Sequence, residues 1–189
     1  MKDLANFLFE VGMLERTPRS GFQFLGSGQE SVAEHILRTV YTAFVLCKLE
    51  PEVDETRVLK MCLFHDIAET RTGDMNYVNK KYVRVDEKKA IKDLTETLFF
   101  GEEIERVIAE FNERKTKESL IAHDADQLSL ILQLKECGDL GNKYSDEWIS
   151  YALRRLLTDT ARKVAEAILH TDFSEWWFKD KSDWWVNGR

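Results

Sequence analysis

Histidine, proline and cysteine are all scarce in this chain. Its 189 residues include four histidines, two prolines, three cysteines and nine glycines. So few breakers leave helices uninterrupted and weigh against a fold built from strands and tight turns. Cys47, Cys62 and Cys137 are an odd number without paired spacing, which excludes a disulfide framework. Cys47 and Cys62 lie in apolar segments and read as buried free thiols in a reducing, cytoplasmic setting. No long hydrophobic run exists. The longest near-apolar stretch, around Val40 to Cys47, is far short of the ~20 residues that cross a bilayer, so no membrane association is expected. The opening "MKDLANFLFEVGMLER" carries acidic residues and lacks a small-residue cleavage site, so it reads as mature protein. A basic stripe is also missing, and the net charge is −7, which excludes a nucleic-acid polymer as partner. A small anion held by a few local cations remains compatible with that charge.

What is present is helical periodicity. Leu4, Phe7, Leu8, Val11 and Leu14 form a first stripe, followed by the loop "RSGFQFLGSGQE". Ser31 and Glu34 form a capping box for a helix over about 32–49, with Ile36, Val40, Phe44 and Leu46 or Cys47 inside. Asp54 caps the next helix, whose Val58, Leu59, Cys62 and Leu63 lead into His65 and Asp66. A polar loop with Gly73 follows, then helices over about 84–99, 102–113, 117–137 and 146–170, the last capped by Asp146. The run "ERKTKE" is a turn, and Lys80 and Lys81 read as a solvated face. The expected fold is all-α: one helical bundle with irregular crossings over 1–170. An aromatic tail over 171–189 is expected to pack on that domain or on a partner subunit, with Trp176, Trp177, Trp184 and Trp185 as its contacts.

The chemistry concentrates at "FHDIAETRTGD". His65 and Asp66 are adjacent, so on a helix they point about 100° apart and converge on one ion only near a helix edge or end. His35 lies one element earlier, and antiparallel packing would bring it to His65. Imidazole nitrogen with carboxylate oxygen suits Mn, Fe, Co, Ni or Zn better than Mg or Ca. A further ligand must come from elsewhere, and "AHDADQ" offers Asp124 or Asp126 on different helix faces. Spacing favours Asp126 only slightly, through its small neighbours Ala122 and Ser129. Glu69 lies one turn after His65 on the same face, placed to move a proton. Arg16 and Arg19, on the loop after the first helix, offer forked donors to a phosphate. His123 reads as a structural or outer neighbour.

His35, His65-Asp66 and Asp126 together resemble the H…HD…D signature of the HD-domain phosphohydrolases. The blocks "LERTPRSGF", "ESVAEHILR", "HDIAETRTGD" and "ADQLSLILQ" are similar, in the same order, to its 5'-deoxynucleotidase group. The resemblance spans about residues 3–170. It implies His35, His65, Asp66 and Asp126 as ligands of one divalent transition metal ion, and Glu69 as catalytic acid or base. It also implies Asp74 as an active-site acid at the sugar end, Arg16 as a phosphate- or substrate-binding arginine, and a homodimer. Thr17 stands where a bacterial branch of the group has Trp, which removes a stacking face there. The expected reaction is removal of the 5'-phosphate of a (deoxy)nucleoside monophosphate by metal-activated water. Two other readings are a different HD phosphohydrolase, with a triphosphate or other nucleotide substrate, and a non-catalytic nucleotide-binding module that keeps its metal.

Overall fold

A computed structural model describes residues 1–178 and Gly188. The helices are α1 (Lys2–Val11), α2 (Phe22–Leu25), α3 (Val32–Leu49), α4 (Glu55–Phe64), α5 (Glu69–Thr72), α6 (Asn79–Tyr82), α7 (Glu87–Thr95), α8 (Gly101–Glu113), α9 (Lys117–Asp139), α10 (Ser145–Leu153), α11 (Asp159–Leu169) and α12 (Glu175–Phe178). A short 3-10 turn, Gly12–Glu15, follows α1. No strand occurs among the described residues, so the all-α expectation holds. Long α9 is the axis: α3, α4, α8, α10 and α11 all pack against it.

Local chemistry starts these helices where the cap residues stand. The Ser31 hydroxyl accepts from Glu34 N, and the Glu34 carboxylate accepts from Ser31 N at 2.6 Å. Asp54 accepts from Arg57 N at 3.1 Å. Thr116 and Ser119 form a second reciprocal cap at the start of α9. Each such cap contributes about 1 kcal/mol, whereas the fully buried Leu and Ile side chains contribute about 1.5–3 kcal/mol apiece. Packing therefore decides the arrangement. The main core joins Ala43, Leu46 and Cys47 of α3 to Val58, Met61 and Cys62 of α4, and to Ile121, Ala125, Leu128 and Ile131 of α9. All three cysteines are buried free thiols.

Some expected faces are rotated. Leu8, Phe44 and Leu63 are exposed rather than inside. On α3 the buried row is His35, Ile36, Thr39, Ala43, Leu46 and Cys47, because turning His35 towards α9 carries Phe44 outward. The helix expected over 84–99 is shorter, and begins after the cap Asp86. The helix expected over 146–170 is two, α10 and α11, and Asp146 is not its cap: Tyr144 holds that position without a side-chain bond. The break has a cause in α9. Buried Asp124 accepts from Leu157 N at 2.7 Å, Thr158 N at 2.8 Å and Thr158 Oγ1 at 2.7 Å. A carboxylate from another helix thus takes the backbone donors that a continuous helix would have used itself.

Asp124→Ala is expected to destabilise the fold by about 2 kcal/mol, because it removes three hydrogen bonds of a buried carboxylate to two part-buried amides and a hydroxyl. Urea unfolding checks this; a change below about 0.5 kcal/mol would show that the break stands without Asp124.

Among the tail residues, Trp176 is 87% exposed, and Trp177 and Phe178 are also exposed. Trp184 and Trp185 lie outside the described residues. No helix among the described residues is long and apolar enough to cross a membrane.

Candidate metal centre and active site

Three helices converge on one point. α3 brings His35, the end of α4 brings His65 and Asp66, and α9 brings Asp126. One donor atom from each of His35, His65 and Asp126 lies within 4.8 Å of the others. His35 Nε2 is 2.9 Å from Asp126 Oδ1, and His65 Nε2 is 3.9 Å from the same oxygen. Asp66 joins through Oδ2, at 3.2 Å from His65 Nε2 and 3.8 Å from His35 Nε2. Ligand–metal distances of about 2.0–2.2 Å set neighbouring donors about 3 Å or slightly more apart, and this cluster has that spacing.

The chain turns sharply here to deliver two adjacent ligands. α4 ends at Phe64, and the following amides reach back only three residues: Ile67 N to Phe64 O at 3.1 Å and Glu69 N to Asp66 O at 3.0 Å. Tightening at a helix end swings Asp66 in beside His65. It also separates Glu69 from the helix of His65; Glu69 opens α5 instead of lying one regular turn along α4.

The donor set fits a divalent ion, and one atom makes the case. His65 Nδ1 donates to Cys62 O at 2.9 Å, which leaves Nε2 with its lone pair inward. That Nε2 is buried and faces the carboxylate oxygens of Asp66 at 3.2 Å and Asp126 at 3.9 Å, donors it would share with a metal ion. The other histidine is oriented as well, with Ser129 Oγ 3.3 Å from His35 Nδ1. Burial disfavours a charged His65 imidazole, yet the carboxylates of Asp66 and Asp126 outweigh it and push His65 up to about 9. Burial also works against ionisation of Asp126, but the bond to His35 and the charges around it hold that carboxyl far below the usual range. A site that concentrates negative potential this way attracts a proton or, in its place, a cation. Imidazole and carboxylate donors from His35, His65 and Asp126 make this a possible metal site.

Glu69 stands beside the cluster. Its Oε2 is buried without a partner among the described residues. Burial first, then the neighbouring carboxylates of Asp66 and Asp74, hold its pKa well above the ordinary carboxyl value. Asp74 is tied to the loop after α1: Ser20 N donates to its Oδ2 at 2.6 Å, and Ser20 Oγ at 3.2 Å.

The structure brings Arg19, and not Arg16, to this cluster. Arg19 Nη1 donates to Asp66 Oδ2 at 3.3 Å, and its Nε is 3.9 Å from Glu30. Arg16 is exposed and does not line the cavity. The reason is the bridge at the loop base. Arg19 N donates to Glu30 O at 2.8 Å and Val32 N to Thr17 O at 2.9 Å, and the pairing turns every second side chain inward. Burial raises the Glu30 carboxyl to about 7. His123 is not among the clustered donors, and Phe111 packs against both the His65 and His123 rings.

A cavity of about 630 Å³ opens from the cluster. Asp66, Asp126, Glu69, Asp74 and Arg19 line it, together with the aromatic side chains Phe22, Trp148 and Tyr151. Arg155 and Trp148 were not legible as site residues, since α10 and its end carry no motif; Gln127 follows Asp126 within "ADQLSLILQ" on α9, where the spacing assigns it no role. Lys80, read as a solvated charge, is exposed and lines the mouth.

Known proteins share both the sequence and the shape. The chain is 32% identical over 148 residues to a 5'-deoxynucleotidase HDDC2 from Dictyostelium discoideum, covering 72% of this chain and 78% of that protein. The mouse 5'-deoxynucleotidase HDDC2 is 30% identical over 146 residues, covering 74% of this chain and 72% of the relative. A conserved hypothetical protein from Pyrococcus furiosus superposes with a TM-score of 0.77 at 28% identity, over 88% of this chain and 99% of that one. The family model of the HD domain matches residues 11–169, and the chain belongs to the HD domain family.

Proposed function

We propose that this protein is a metal-dependent 5'-deoxynucleotidase that hydrolyses nucleoside monophosphates to a nucleoside and inorganic phosphate. The observation that carries it is the buried, partnerless Oε2 of Glu69 beside a four-donor cluster, both opening on a cavity of nucleotide size. The names of the relatives point to the same chemistry. His35, His65, Asp66 and Asp126 are the residues that would hold one divalent transition ion. When bound, the ion screens the phosphate charge and makes water a better nucleophile.

The chain's own groups do the rest. Arg19, anchored by Asp66, faces the phosphate with forked donors. Water adds to phosphorus as the bond from phosphorus to the 5'-oxygen breaks. Glu69 supplies the proton that the departing 5'-oxygen needs and regains one from the water that has added to phosphorus; its raised pKa keeps that proton available to higher pH than an ordinary carboxyl would. Asp74, fixed by Ser20, lies where the sugar follows the phosphate. Phe22, Trp148 and Tyr151 give the base an apolar wall, in place of the stacking face that Thr17 does not provide. The functional unit is residues 1–170, with the tail over 171–189 as its appendage. A homodimer belongs to the same reading. The exposed stripe Leu37, Tyr41, Phe44, Val45 and Leu49 on α3 is the surface that a second copy would cover.

A phosphate-release screen of ribo- and deoxyribonucleoside mono- and triphosphates, with Mn, Co, Zn, Ni and Mg in turn, tests the function. Release from monophosphates, strongest with a transition ion, is expected. Release from triphosphates alone would assign another HD reaction. Tight nucleotide binding without release would make the protein a binding module.

A further inference from the structure

One cation on the cavity wall has no part in the chemistry above. We propose that Arg155, just past the end of α10, anchors the phosphate of the substrate together with Arg19; this rests on the phosphomonoesterase reading.

The carboxylates lining the cavity are Glu30, Asp66, Glu69, Asp74, Asp126 and Glu147, against Arg19, Lys80 and Arg155 as cations. A dianionic phosphate entering there needs every available positive charge. Arg19 already shares its guanidinium with Asp66 and Glu30. Arg155 differs: among the described residues it has no carboxylate partner. Its Nη1 donates to the neutral Gln127 Oε1 at 3.3 Å, and its guanidinium lies over the Tyr77 ring, 5.3 Å from the centroid. Both contacts hold the group in place without cancelling its charge, so its remaining donors stay free for an anion.

The mounting also points at the metal centre. Gln127 Nε2 donates to Asp126 Oδ2 at 2.7 Å, the carboxylate oxygen that does not face His35. One amide therefore sets Arg155 two hydrogen bonds from a metal-ligating carboxylate. The backbone behind it is fixed by the bonds of Asp124 to residues 157 and 158. Arg155, just past α10, and Arg19, on the loop after α1, line the same cavity as the cluster, and one anion is proposed to engage both.

Arg155→Ala is expected to raise KM for a deoxynucleoside monophosphate about 10- to 100-fold, as for loss of one charge-assisted contact, with kcat within a few-fold. Inhibition by inorganic phosphate should weaken by the same factor. Metal content and Tm should hold, Arg155→Lys should recover part of the loss, and guanidinium ion in solution should restore the alanine variant. Unchanged KM and phosphate inhibition would overturn the proposal. So would a loss of metal in the variant, which would make Arg155 a prop for Asp126. If the wild type releases phosphate from no monoester, the nucleotidase reading fails by itself. Calorimetric binding of inorganic phosphate to metal-loaded wild type and Arg155→Ala then still decides the role of Arg155, with equal affinities counting against it.

Discussion

Glu69→Gln is expected to lower kcat by about 10²–10⁴ while KM and metal content stay near the wild type. The substitution keeps size and shape, so what it removes is the proton. Glu69 is not a metal ligand by geometry; the clustered donors are His35, His65 and Asp126, with Asp66 beside them. Nor does it hold the fold, since its Oε2 has no partner among the described residues to lose. Glu69→Gln leaves a neutral amide of the same shape, equally unbonded, so stability should stay near that of the wild type. Steady-state kinetics, metal analysis and thermal unfolding on the same preparation separate the outcomes. Full activity in the variant would remove Glu69 from the reaction. Low activity with lost metal would move it into the metal centre.

His65→Ala should remove both bound metal and detectable phosphate release. Its imidazole is one of the clustered donors, with Nε2 buried beside the carboxylates of Asp66 and Asp126. Without a cation, Asp66, Asp126 and Glu69 are carboxyl groups crowded in a buried space, and their repulsion opposes folding. Metal saturating the site 100-fold above its dissociation constant stabilises the native state by about 2.7 kcal/mol. For a chain of this length that amounts to roughly 5–10 °C in Tm. A chelator should therefore lower the Tm of the wild type by that amount and leave His65→Ala unmoved. A variant that keeps its metal and its chelator response would show that His65 is not a ligand.

The sequence carried some of this plainly and hid the rest for physical reasons. Capping is local, so Ser31 and Asp54 marked the starts of α3 and α4 correctly. The break at residues 154–158 was invisible because its cause, Asp124, sits about thirty residues earlier on another helix. Asp124 and Asp126 are two apart and differ by about 200° around α9, so one caps a neighbour while the other joins the metal cluster. Spacing alone could only lean towards Asp126. Arg16 and Arg19 are both plausible from the loop, but only the bridge of Pro18 with Ser31 decides which one turns inward. Spacing puts Glu69 one turn from His65 on a continuous helix, but the tightening after Phe64 replaces that regular turn. Arg155 lies in "LRRLL", where nothing distinguishes a cavity arginine from a surface one; its role depends on Gln127 and Tyr77, which only the tertiary structure brings together.

The same bridge has a consequence for how this enzyme class can diversify. Arg19 N to Glu30 O closes the excursion that carries Phe22 and Leu25 into the cavity wall. With its ends clamped, doubling the number of intervening residues adds only about 0.6 kcal/mol of closure entropy. Evolution can therefore lengthen, shorten or rewrite this flap while the donor cluster beneath it keeps its position.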